Sequence, residues 1–158
     1  MTEVCVDACL VVKLVTREPD SDLADTLFAT WYDQGARLIA PPFLPIEVDS
    51  VLRQKAMLRR ELTVEQARAC FAAACQVPIE FLSLPGQRDL AWSFAEELLL
   101  PHVYDTTYLA LAKLCGCEFW TADQRLVKVC QKLPFVRWLK ELEPGGRGPI
   151  LSRKLHAR

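Results

Sequence analysis

The 158 residues, 51% of them hydrophobic, suffice for one compact domain with its own core and are too few for two. A formal net charge of −1 argues neither for nor against a nucleic-acid partner, and the absence of any apolar run of membrane-spanning length or of a basic, then apolar leader predicts a soluble, cytoplasmic protein with no membrane contact. Seven cysteines, Cys5, Cys9, Cys70, Cys75, Cys115, Cys117 and Cys130, fall mostly on apolar faces and are expected to be reduced and buried; with only His102 and His156 available, Cys115-Gly116-Cys117 lacks the partners of a structural zinc site.

In chain order, Val4-Cys5-Val6 is a β-branched run that ends at Asp7, and Asp7 opens the run Ala8 to Leu14. Leu23, Leu27 and Trp31 recur at i, i+4 and i+8 with Ala24 and Phe28 beside them, a helix stopped by Gly35. A second strand, Leu38-Ile39-Ala40, precedes a helix around Pro45 whose stripe is Leu44, Val48, Val51 and Leu52. Thr63 with Gln66 forms a capping-box start for a helix running to about Cys75. Strand Ile79 to Leu82 follows, then a Leu90, Phe94, Leu98 stripe ending before Pro101, and a further helix carrying Tyr108, Leu109 and Ala112. Strands Glu118 to Thr121 and Phe135 to Trp138 complete the pattern. Such alternation predicts an α/β domain over 1–142, a parallel sheet covered by helices on both faces, with two helices between the third and fourth strands. Residues 143–158, rich in Gly and Pro and then basic, are predicted to be a flexible tail.

Four carboxylates interrupt this pattern. Glu47 falls at i+3 on the Leu44 stripe, and Asp105 lies on the stripe continued by Tyr108, Leu109 and Ala112. An unpaired carboxylate in a core costs several kcal/mol, so each needs a cation or a proton. Asp7 and Asp123 stand at carboxyl ends of strands, where open α/β sheets bind ligands. Capping is a rival reading for three of them: Asp7 as an N-cap, Asp105 at the helix beginning near Tyr104, and Asp123 beside a Thr121 to Gln124 capping box. It does not reach Glu47.

Oxygen ligands without histidine or cysteine suit Mg²⁺ or Mn²⁺, and close carboxylates repel one another until a cation compensates them. The substrate matching an acidic, metal-holding pocket is a phosphodiester. Setting the four acids aside leaves a positive remainder, with basic residues gathered at Arg53-Gln54-Lys55, Arg59-Arg60 and Arg125 to Lys128. No Gly-rich phosphate loop follows a strand, and a phosphatase would need an acid where Cys9 stands. A non-catalytic binding module is the alternative from another class.

From Val4 to about Leu142 the chain resembles PIN-domain ribonucleases, most of all the VapC toxins of toxin–antitoxin modules. The matching stretches are Val6 to Lys13, Pro41 to Arg53, Val103 to Ala112 and Thr121 to Leu126. The resemblance implies a five-stranded parallel sheet of order 3-2-1-4-5 in a three-layer α/β/α sandwich, with Asp7, Glu47, Asp105 and Asp123 as catalytic metal ligands for Mg²⁺ or Mn²⁺. It also implies RNA as substrate, a homodimer, and an antitoxin partner; Lys13, Arg53 and Arg125 are the candidate RNA contacts. Thr121 matches a position where a hydroxyl orients the metal's ligands. Cys9 replaces a common serine, weakening a hydrogen bond there, and Asp49 replaces a frequent asparagine, at i+2 from Glu47 and so facing elsewhere.

Overall fold

The computed structural model describes residues 2–143. The expected tail therefore lies, apart from Glu143, outside the described residues. Five strands form one parallel sheet: β1 (Glu3–Val6), β2 (Arg37–Ala40), β3 (Ile79–Phe81), β4 (Glu118–Thr121) and β5 (Val136–Trp138), in the spatial order β3-β2-β1-β4-β5. The sheet order is the one the resemblance implied. The central strands are short, β-branched or aromatic, and buried on both faces, as parallel strands covered by helices must be.

Seven helices connect them: α1 (Ala8–Val15), α2 (Ser21–Asp33), α3 (Leu44–Met57), α4 (Val64–Ala74), α5 (Gln87–Glu97), α6 (Tyr104–Cys115) and α7 (Gln124–Val129). A short 3-10 turn, Leu139–Leu142, follows β5. The two helices expected between the third and fourth strands are α5 and α6, and the first two crossovers are helix pairs as well. Right-handed crossovers put α1 to α4 on one face and α5 to α7 on the other, in keeping with the packing of α1 on α2, α3 and α4, and of α5 on α6.

Local chemistry accounts for the element ends. The Thr63 side chain accepts from the Gln66 N–H while Gln66 reaches back to the Thr63 N–H, completing the anticipated capping box. Gly35 closes α2 at a φ of 63° and Gly116 closes α6 at 66°, a left-handed conformation that costs glycine little. Trp31, Trp120, Tyr108, Phe119 and Leu10 are the largest fully buried side chains, and Trp31 meets Trp120 edge-on at 6.0 Å. At the β5 edge Arg137 lies over Trp120 and pairs with Glu118 and Glu141.

Two expectations are corrected. Lys55, grouped by sequence with Arg53 as a basic cluster, is only 6% exposed and is clamped between Glu18 at 2.6 Å and Glu61 at 2.7 Å. The cysteines are all free, yet only Cys5 and Cys130 are buried, and Cys75 is exposed because it caps the outer helix α4.

Candidate active site

Parallel pairing of β1 with β4 aligns Val6 with Trp120, and the Asp7 N–H continues the ladder to the Trp120 carbonyl at 3.1 Å. The carboxyl ends of these neighbouring strands, whose crossovers leave in opposite directions, are the switch point of the sheet. Asp7 is at the first of them and Asp123, two residues past β4, at the second. Glu47 comes from the first turn of α3 and Asp105 from the first turn of α6.

Asp7 is the most deeply placed of the four, 6% exposed. It occupies the N-cap position of α1 but makes no capping hydrogen bond; its Oδ2 instead accepts from the Thr121 hydroxyl at 2.6 Å. The capping explanation therefore fails for Asp7. Burial pushes its carboxyl up to about 7; the Thr121 hydroxyl works against that rise, and the charges of Asp105 and Glu47 add to it.

Thr121 ties the two strand ends together, because its oxygen also accepts the Asp123 N–H at 3.0 Å. Cys9 completes this patch: its sulfur lies 3.4 Å from the Thr121 hydroxyl and accepts the Ala122 N–H at 3.2 Å. Cys9 therefore stays within hydrogen-bond reach of this patch. Sulfur is large enough to reach the backbone of the β4 end from α1.

Glu47 is half-buried rather than sunk in the core, although the buried Leu44 and Val48 stand on either side of it along α3. Its Oε1 accepts the Tyr108 hydroxyl at 2.7 Å. Burial raises its carboxyl, the Tyr108 hydrogen bond opposes this, and Asp105 adds to the rise. Asp105, also half-buried, makes no cap and is raised by burial and then by the charge of Asp123. Asp123 does cap α7: its Oδ1 accepts from the N–H groups of Arg125 at 2.9 Å and Leu126 at 3.3 Å. The cap is Asp123 itself, not a Thr121 to Gln124 box, because Thr121 still belongs to β4.

Tyr108 is the member that the sequence reading missed. Its ring is fully buried among Phe43 and Phe119, with its hydroxyl turned to Glu47. The signal was available: a tyrosine on a buried stripe needs a partner for its O–H, and Asp105 three residues earlier aims that stripe at the pocket.

The basic residues lie in different surroundings. Lys13 is bound to Glu18 at 3.2 Å and to the Pro19 carbonyl at 2.9 Å. Arg53 lines a separate groove between α3 and α4 with Asp49, Arg68 and Phe71, which also places Asp49 away from Glu47 as anticipated. Arg125 is exposed in the first turn of α7, beside Asp123.

Among the described residues, none of the four carboxylates is ion-paired with a lysine or arginine, and no three histidine, cysteine, aspartate or glutamate side chains are drawn close enough to hold an ion as they stand. The first fact makes an oxygen-only set that lacks its counter-charge. The oxygen-only donor set of Asp7, Glu47, Asp105 and Asp123 is of the chemical type that suits a hard cation.

No family model matches the sequence, and no curated protein matches it. Among solved structures the chain is similar to PAE2754 from Pyrobaculum aerophilum, with a TM-score of 0.62 and 19% identity over 89% of this chain and 92% of that one. It is also similar to the Mycobacterium tuberculosis toxin VapC20, described as cleaving the sarcin-ricin loop, with a TM-score of 0.56 and 16% identity over 79% of this chain and 93% of that one. The chain has the PIN-like fold of these structures.

Proposed function

We propose that the protein is a Mg²⁺- or Mn²⁺-dependent endoribonuclease, the toxin of a toxin–antitoxin pair, acting at the pocket of Asp7, Glu47, Asp105 and Asp123. The observation that carries this reading is Asp7: a carboxylate buried at the switch point, positioned by Thr121 and, among the described residues, with no lysine or arginine ion-paired to it. Bound there, the metal supplies charge neutralisation for the phosphate and acidifies the attacking water. The chain's part is to keep the acids oriented. Thr121 fixes Oδ2 of Asp7, Tyr108 fixes Oε1 of Glu47, and Cys9 holds the Ala122 backbone against this patch. The low-dielectric wall formed by Tyr108 and Phe43 strengthens any charge interaction made beside it.

The toxin similar in fold is described as cleaving the sarcin-ricin loop, which supports RNA as the substrate class. An antitoxin and homodimerisation belong to the same proposal. No helix among the described residues is long and apolar enough to cross a membrane. The competing reading, a PIN-like module that binds RNA or protein without cleaving, draws on Asp123 being engaged as a cap. Incubating single-stranded and structured RNA with the native chain and with Asp7→Asn separates the two. Cleavage that needs millimolar Mg²⁺ or Mn²⁺, lost by at least about 10²-fold in Asp7→Asn, supports the enzyme. No cleavage of any RNA by folded native protein supports the binding module.

A further inference from the structure

The residues immediately before two of the four acids are apolar or aromatic and exposed. Tyr104, immediately before Asp105, is 60% exposed, and Ile46, immediately before Glu47, is 67% exposed. One residue along a helix is about 100° around it, so each flanks its acid rather than joining it in the pocket. Phe43 connects the two. It packs edge-on against Tyr104 at 6.0 Å and against Tyr108 at 5.5 Å, and Tyr108 in turn holds Glu47. His102 lies tilted against the Tyr104 ring at 6.3 Å. Beyond Phe43 and Ile46 runs a groove of about 600 Å³ between the β2–α3 and β3–α5 connections, reaching Thr107 on α6, with the exposed Arg88 on its wall and Asp89 next to it.

We propose that Tyr104, braced by Phe43 and His102, is a stacking platform for an unpaired base of the RNA, and that the strand continues along the groove beside Phe43 and Ile46. This rests on the ribonuclease reading above. A ring packed against two neighbouring rings keeps its orientation at little entropic cost when a base lands on its exposed surface, and base-on-aromatic stacking is sequence-tolerant because every base has a π face. The faces of bases in an A-form duplex are hidden by their neighbours, so the platform selects single strands, loops and bulges. Arg88 supplies the positive charge needed for a backbone phosphate in a groove otherwise lined by apolar and neutral polar side chains with Asp89.

The test uses an RNA of about ten nucleotides, within the span of known single-strand sites, and the same sequence as a duplex, with the native chain in Mg²⁺. Tyr104→Ala and Tyr104→Leu are expected to raise KM for the unpaired RNA by about tenfold with kcat little changed, while Tyr104→Trp restores the native KM. Leucine keeps apolar bulk against Phe43 but has no ring face, so a merely structural role would be rescued by Leu, and stacking would not. The duplex should be a poor substrate throughout. Native cleavage of RNA with KM unchanged in both Tyr104→Ala and Tyr104→Leu overturns the platform, leaves the ribonuclease reading standing, and assigns the exposed rim to a protein partner. If the folded native chain cleaves no RNA, the ribonuclease reading falls and the platform with it.

Discussion

Asp7 holds an ionisation that its surroundings oppose, and this fixes the sign of a pH effect. Its carboxyl ordinarily titrates near 3.8 and is raised to about 7 in the fold, mainly by burial. A group raised on folding adds stability that is complete below its unfolded pKa and lost as pH climbs through its folded one. In EDTA, then, the native chain should lose stability between about pH 4 and pH 7, whereas Asp7→Asn should not, because an asparagine oxygen still accepts the Thr121 hydroxyl without carrying charge. The variant is expected to melt higher at pH 8, by an amount on the order of a few kcal/mol at most, and to converge on the native chain near pH 4 to 5. Melting curves at both pH values check this; a variant less stable at pH 8 would mean that Asp7 is compensated by a cation of the protein. Sequence periodicity pointed first to Glu47 and Asp105, because a helix stripe makes a misplaced acid visible. It gave Asp7 no such mark, since aspartate is ordinary at an N-cap, and its burial comes from β4, 114 residues away at Thr121.

Between elements, the informative case is Lys55. On α3 it reads as one of a surface group with Arg53, but it turns inward to Glu18, in the α1–α2 connection, and to Glu61, just past its own helix. Nothing in a linear pattern pairs residues that far apart, so the contact was illegible, while the helix bearing it was not. Its energetic role follows from burial. Replacing Lys55 by Met leaves the partly buried Glu18 with Lys13 as its remaining cation among the described residues, and should cost about 1–3 kcal/mol at pH 7, below the range for a fully buried pair because Glu61 is solvated. Glu18 is pushed up by burial but drawn down further by Lys55 and Lys13, so its net pKa is lowered. A lowered carboxylate contributes stability above its unfolded pKa and loses it as pH falls. The deficit of Lys55→Met should therefore shrink in acid, below about pH 4.5. Urea unfolding at pH 7 and pH 3 measures it, and an equal deficit at both would place the loss in packing of the lysine stem instead.

At the scale of the whole molecule, the strand–helix alternation was readable because the core of a parallel sheet is written as short apolar runs. The order of its strands came only from resemblance, since pairing depends on crossover geometry that no periodicity encodes. That order has one consequence for stability. Asp7 and Glu47 enter the pocket from the side of α1 to α4, and Asp105 and Asp123 from the side of α5 to α7, so the four acids repel across the sheet's end between the two helical layers. A cation binding all of them joins the layers and binds only the folded chain, which stabilises it by RT ln(1 + [L]/Kd). Saturating Mg²⁺ should raise the melting temperature of the native chain, and at about 100 times Kd the gain is about 2.7 kcal/mol. The same addition should do little for Asp7→Asn or Asp105→Asn, which come from opposite layers and share no hydrogen bond among the described residues. Hydrogen exchange at the first turns of α3 and α6 locates the effect: slowing at both ends on adding Mg²⁺ requires an ion held between the layers, and slowing at one alone means an ion held by one layer's acids. A native melting temperature indifferent to Mg²⁺ and Mn²⁺ would leave the acidic pocket without its cation and remove the basis for hydrolysis there.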